Sequence, residues 1–276
     1  MRMTAAAEQL FISQSAISQA VNDLEKYYDV RLFERLSRKL YLTPAGEKLY
    51  SYAQHIIGMN ADIEKEMKAL KESGSIRLGA SVTVGANVLP ALVASFKQSN
   101  PQIDITVFED NTVKIEERLL SDKTDLGLVE GEIISPDIIT MSFADDELTL
   151  ICGVKHRFAS MPVIESHELE KEDFIIREPG SGTRKTFEDV MSAYQISWNA
   201  KWVCNNTDTI KEAVMAGLGV SVISKIAVRK EVDFEKLCAK TIEGMRFCRT
   251  FKIAYHKNKY LTPSMKKFID LCMNPK

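Results

Sequence analysis

AAAEQLFISQSAISQAVNDLEKYYDVRLFERLSRKLYLTPAGEKL, residues 5–49, is the stretch from which the rest of the chain is read. Its first piece, Thr4–Leu10, reads as a short helix with Ala6, Ala7 and Leu10 on one side. Ser13 supplies a hydroxyl suited to cap a second helix. In that helix Ala16, Ile17, Val21 and Leu24 recur at helical spacing and predict an apolar face. Gln14, Ser15, Ser18, Gln19 and Asn22 are left outward. Small hydroxyls and amides are what a helix needs to enter a major groove and touch base edges. Two helices joined by a short turn make a helix-turn-helix, although an ordinary helical hairpin fits the same pattern.

Working downstream, Arg31–Arg35 and Lys39–Thr43 read as two short extended pieces around Leu36-Ser37-Arg38. Arg35, Arg38 and Lys39 then sit at or near the tip of a hairpin, within reach of DNA phosphates. Through Lys48 the head carries seven basic and six acidic residues, so its useful charge lies in this wing. Phosphate contacts there would position the head, while the second helix reads sequence. The whole chain of 276 residues has a net charge of only −2, so DNA binding must rest on such a local patch.

The run resembles the head of LysR-type transcriptional regulators throughout, including LFER at 32–35 and LTPAG at 42–46. The resemblance implies a winged helix-turn-helix over residues 1–43 that binds double-stranded promoter DNA, with Gln14, Ser15, Ser18 and Gln19 facing the bases. The family also carries a helix ahead of the position of Thr4, packed under the other two. Without it the head would have an open apolar face. The alternative reading is therefore an effector-binding protein that does not bind DNA.

Residues 44–72 contain few breakers. Leu49, Tyr52, Ile56, Met59, Ile63, Met67 and Leu70 recur every three or four positions, and Glu47, Lys48, Asp62, Lys65 and Lys68 lie opposite. This is one long amphipathic helix whose seam suits pairing with a second copy, or packing on its own domain. Gly58 weakens it locally. Ser73-Gly74-Ser75 reads as a hinge.

Beyond the hinge, apolar strands alternate with helices. Ile76–Ala80, Ile103–Phe108, Leu126–Val129, Leu148–Cys152, Phe174–Ile176, Val220–Ile223 and Phe251–Tyr255 read as strands. Leu89–Gln98, Lys114–Ser121, Lys185–Tyr194 and Thr209–Ala216 read as helices. The alternation predicts α/β units with largely parallel sheets. SVTVGANVLPALVASFKQSNP (81–101) and EAVMAGLGVSVIS (212–224) extend the LysR-type resemblance. It implies an effector-binding domain at 75–276 with two lobes like those of periplasmic binding proteins. Lobe one takes 75–141 and 248–276, and lobe two takes 142–247. The fold class expected is thus α+β multidomain: head, linker helix and two-lobed α/β domain.

Three loops follow strands and open helices: Ser81–Gly85, Pro179–Arg184 and Asn205–Thr207. Free backbone N–H groups and the helix dipole at such ends favour anions, and ligands of α/β sheets lie beyond the strands' carboxyl ends. Simple helix capping is the plainer account of any one loop. Taken together they predict a small anionic effector bound by Ser81 and Thr83 from one lobe and by Gly180, Ser181, Thr183 and Thr207 from the other. Arg184 is either a counter-ion to that ligand or the partner of a nearby acid. REPGSGTR (177–184) resembles the regulators of sulfur and cysteine metabolism and of carbon fixation. That resemblance implies sulfite, sulfate, an acetylated serine, or a small phosphorylated or carboxylated metabolite.

Composition excludes other classes. Hydrophobic residues make up 45% and charged residues 27%, ordinary for a globular protein. No apolar run approaches the roughly 18 residues of a membrane span, and the N-terminus lacks a signal-peptide pattern, so a cytoplasmic location is expected. The five cysteines and four histidines show no ligand spacing, and no metal or cofactor is expected. Cys204, just before a helix start, is the one thiol whose pKa that position would lower; otherwise the cysteines are structural. GSG at 180–182 lacks the GxSxG spacing of a hydrolase elbow, and no constellation supports an enzyme. The partners expected are promoter DNA, a small effector and further copies of the chain, as a dimer through the linker helix and a tetramer.

Overall fold

The computed structural model describes residues 3–36, 39–72 and 74–274, and the chain divides into two compact units after Leu70. The first unit opens with α1 (Met3–Leu10) and α2 (Gln14–Tyr28), joined through Phe11 in a left-handed conformation. Ser13 caps α2 as its sequence position predicts, accepting from the Ala16 amide at 3.2 Å. The Glu25 carboxylate accepts from the amides of Leu32 and Phe33, which fixes the chain after the helix. An antiparallel hairpin follows, β1 (Phe33–Leu36) and β2 (Lys39–Leu42), with Leu36 opposite Lys39.

The long helix α3 (Pro44–Glu72) starts on the LTPAG run, and each residue there has a mechanical reason. The Thr43 hydroxyl donates to the Arg31 carbonyl and accepts from the Gly46 amide, tying helix to hairpin. Pro44 occupies the first helical position, where its missing N–H leaves nothing unpaired. Gly46 faces the hairpin so closely that a Cβ would lie 2.1 Å from the Leu32 carbonyl oxygen. Burial on α2 departs from expectation. Ala7 and Leu32 are buried, Ile17 and Val21 are half-buried, and Ala16 and Leu24 are exposed. The reason is that α1 is only eight residues long and offers mainly alanines, too small to cover that face.

In the second unit, β3 (Ser75–Ser81) is followed by α4 (Val82–Asn87), α5 (Leu89–Ser99), β4 (Asp104–Asp110), α6 (Thr112–Leu120) and β5 (Leu126–Glu130). Then come β6 (Ile138–Gly153), β7 (Asp173–Arg177), α7 (Gly182–Ala193), β8 (Asn199–Cys204), α8 (Thr207–Met215) and β9 (Ser221–Ser224). The chain ends with α9 (Lys225–Asp233), β10 (Leu237–Lys240), β11 (Phe247–His256) and α10 (Pro263–Met273). The seven-stranded main sheet is mixed rather than largely parallel, and β7 and β8 form a separate two-stranded sheet. Strand β3 pairs in parallel with β4 and β5, and β7 with β8, whereas β11 is antiparallel to β5 and β6, and β6 to β9 and β10. Only the end of β6 was visible as an apolar run. Its first half, around Thr140–Glu147, alternates exposed and covered residues because it crosses between two bodies.

Those two bodies have separate cores. One buried cluster draws on residues 76–128 and 251–272, with Phe96 edge-on to Phe268. Two more draw on residues 148–247, including Phe174, Phe187 and the half-buried Trp198. We refer to these as lobe one and lobe two. They are joined by the long β6–β11 pair, whose register shifts between Phe251 and Lys252.

Candidate functional site

On α2 the side chains of Gln14, Ser15, Gln19 and Asn22 are exposed. Ser18 is placed differently from the outward position predicted for it. It is half-buried, donating to Met3 Sδ at 3.3 Å and accepting from Gln14 Nε2 at 3.3 Å. A serine on the border of the α1 contact can serve either face, and here it serves the contact. In the wing, Arg38 lies outside the described residues, as do the side chains of Arg35 and Lys39.

In the second unit the carboxyl ends of β3, β5 and β7 bring Ser81, Glu130 and Arg177 towards one place between the lobes. The centre of this place is Arg249, in the apolar run of β11 and 8% exposed. Its Nε donates to Asp146 at 2.7 Å, Nη1 to Thr183 Oγ1 at 2.9 Å and Nη2 to Thr83 Oγ1 at 3.4 Å. Nη1 also stands 3.8 Å from Glu130. The Ser81 hydroxyl donates to Glu130, and Ser224 donates to Asp146. One guanidinium on the strand pair thus holds a threonine of each lobe. Burial pushes the Glu130 carboxyl above the usual carboxylate range, against the opposing pull of Arg249 and Arg177. The lobes touch at their backbones here, since a Cβ on Gly182 would sit 2.2 Å from the Glu130 carbonyl oxygen.

The predicted loops behave unequally. Ser81, Thr83 and Thr183 join the Arg249 cluster. Ser181 stands at the N-cap of α7 without capping it, 2% exposed, and its Oγ has no hydrogen-bond partner. It lines a cavity of about 280 Å³ together with Val113, Glu132, Gly180, Arg184, Lys185 and Glu188, whereas Arg249, Glu130, Thr83 and Thr183 do not line it. Gly180 takes φ +89° and its carbonyl accepts from the Val113 amide of lobe one. Thr207, by contrast, is not brought to the cluster. It opens α8 half-buried, and Asn206 caps that helix by accepting from the Thr209 amide. For that loop, capping is the observed role.

Arg184 bonds Glu188 at 2.7 Å one turn along α7 and also lines the cavity beside Ser181, a position open to either expected role. Arg177 is buried, with Nε and Nη2 on Glu178 and Nη1 unpartnered. The Cys204 thiol is raised rather than lowered, because burial outweighs the pull of Arg177. Sequence reasoning missed Glu130, Asp146, Arg177 and Arg249 as site residues. For three of them the signal was a lone charge, at the end of an apolar strand (LGLVE, FIIR) or inside one (FCRTF). Asp146 is hidden among other acids in ADDEL.

Comparison with known proteins adds to this geometry. Residues 70–274 match the LysR substrate binding domain, and residues 2–47 match the bacterial regulatory helix-turn-helix protein, lysR family. The uncharacterized HTH-type transcriptional regulator YeiE of Escherichia coli (strain K12) is 30% identical over 269 residues, covering 98% of this chain and 91% of YeiE. A point variant of full-length OxyR from Pseudomonas aeruginosa superposes with a TM-score of 0.82 at 21% identity, covering 99% of this chain and 93% of that one. The CcmR regulatory domain of Synechocystis PCC6803, in complex with 2-PG, gives a TM-score of 0.68 at 26% identity over 72% of this chain and 96% of CcmR.

Proposed function

Since this chain belongs to the LysR family of DNA-binding transcriptional regulators, with a helix-turn-helix head and an effector-binding domain, we propose that its effector is a small anion held between the two lobes. The observation that carries the reading is Ser181, a buried hydroxyl without a partner at the start of a 12-residue helix, beside a cavity. A buried polar group left unpaired is unfavourable, so a ligand that satisfies it gains that free energy on binding. The structure of CcmR in complex with 2-PG, similar over this domain, is in keeping with a small guest. The REPGSGTR segment supports a metabolite of sulfur metabolism, such as an acetylated serine, or a small phosphorylated or carboxylated metabolite.

In this reading Thr83 and Thr183 exchange Arg249 for the effector, and the change between lobe arrangements biases how the heads engage promoter DNA. Such coupling requires the effector to prefer one arrangement over the other. The chain works as a regulator in the cytosol rather than as an enzyme, and the scheme needs no metal or cofactor. Among the described residues no helix is long and apolar enough to cross a membrane. We also propose a dimer through α3, on which Tyr52, Ile56, Met59, Ile63 and Met67 are all exposed along one seam, and a tetramer built from it. The test is a thermal-shift screen with small anions on the native chain, Thr83→Ala and Ser181→Ala. Stabilisation in the native chain and its loss in both variants are expected; equal shifts in all three would rule out the site.

A further inference from the structure

The charge balance of the groups packed against that cavity, where Thr112 donates to the Glu130 carbonyl and Arg184 to the Arg177 carbonyl, narrows the kind of anion it accepts. Each buried guanidinium already has a carboxylate of its own: Arg249 has Asp146 at 2.7 Å, and Arg177 has Glu178 at 2.8 Å. Glu130 is then an additional buried acid, 1% exposed and reached by Ser81. Glu109, an exposed acid, holds its carboxylate over Gly85 and in the field of Arg177. Arg184 and Lys185 on the cavity wall are likewise paired, with Glu188 and Asp189. Together these groups leave no surplus positive charge for a doubly charged guest. Two donors nevertheless stand unpartnered and sealed from solvent: Arg177 Nη1 and Ser181 Oγ. The first turn of α7 adds its backbone N–H groups, since Ser181 leaves them uncapped.

Resting on the anion-site reading above, we propose that the effector is a small molecule with one singly charged anionic end and a hydrogen-bond donor, its anionic end on Arg177 and Ser181 and its donor on Glu130. A donor turns Glu130 from a repelling neighbour into a partner, as a hydroxyl or ammonium group does for any carboxylate. A guest lacking one leaves that acid, already raised by burial, either charged against a like charge or obliged to take up a proton, and both are costly in a site shielded from water. Both unpartnered atoms are sealed from solvent, so the site must open for entry. Discrimination of this kind works by penalising the wrong guest as much as by favouring the right one.

The test is calorimetric titration of the full chain at neutral pH with four probes: acetate, glycolate, sulfate and O-acetylserine. Glycolate and O-acetylserine pair a carboxylate with a donor, acetate has no donor, and sulfate has neither a donor nor a single charge. The expected result is binding of at least one donor-bearing probe about tenfold more tightly than sulfate or acetate. Glu130→Gln, which keeps the shape and accepts from Ser81, is expected to narrow the gap to sulfate about tenfold. Ser181→Ala and Arg177→Lys are expected to weaken the donor-bearing probe, and thermal melts of the unliganded variants show whether they fold. Sulfate binding as tightly as any other probe, or a Glu130→Gln ratio equal to that of the native chain, overturns the proposal while leaving the site in place. Binding to none of the probes, or binding indifferent to Thr83→Ala and Ser181→Ala as well, overturns the site reading with it.

Discussion

Gly46 and Thr43 show how closely single residues constrain the head. The Thr43 hydroxyl bridges Arg31 and the start of α3, so Thr43→Ala is expected to lower stability by about 1 kcal/mol, the usual worth of a helix cap. Gly46→Ala is expected to be worse, because its Cβ would meet a carbonyl oxygen rather than a yielding side chain. Thermal melts of the two variants check both, and a Gly46→Ala melt equal to the native one would refute the close contact. Asp125 makes the corresponding case in the second unit. Burial raises its carboxyl, but bonds from Arg77 and Lys259 prevail and hold it below its ordinary value. A depressed carboxylate contributes stability above its unfolded pKa, about 3.9, that is lost as pH falls through the lower folded value. The melting temperature is therefore expected to drop below about pH 4, and Asp125→Asn to flatten that dependence. An unchanged acid profile in the variant would show that other carboxylates dominate.

At the scale of elements, what the sequence revealed was set by periodicity. Helix α2, with Ser13 before it, and the parallel strands β3 and β5 follow directly from residue spacing and burial. Strand β6 was legible only from Leu148, because its crossing half is largely exposed and carries no sustained apolar run. The site divides in the same way. Ser81, Thr83 and Ser181 announce themselves as small polar residues at helix starts, whereas Arg249 becomes a site residue only when β11 pairs with β6 and sets it beside Asp146. Thr207 does not join the Arg249 cluster, because its loop resembles the others in composition while its asparagine satisfies the helix locally. For α3 the seam of exposed apolar residues gives a direct expectation. Ile56→Asp combined with Ile63→Asp is expected to convert the sedimenting species to a smaller one, and an unchanged sedimentation coefficient would place the dimer contact elsewhere.

For the whole molecule, the family gives a DNA-binding regulator with an effector-binding domain, and our proposal couples the two through a cleft that senses charge. Net charge supplies little long-range attraction, so affinity for duplex must come from the wing and α2, and must weaken as salt rises. The measurement that tests this most directly is fluorescence anisotropy of the chain with a duplex selected from a random-sequence pool and with its scrambled counterpart, at one fixed salt concentration. The account predicts a preference of about a thousandfold or more for the selected duplex, as for specific regulators generally. It further predicts that this preference shifts when the best anion from the titrations is added. Equal affinity for both duplexes, or a preference that no bound anion alters, would contradict it.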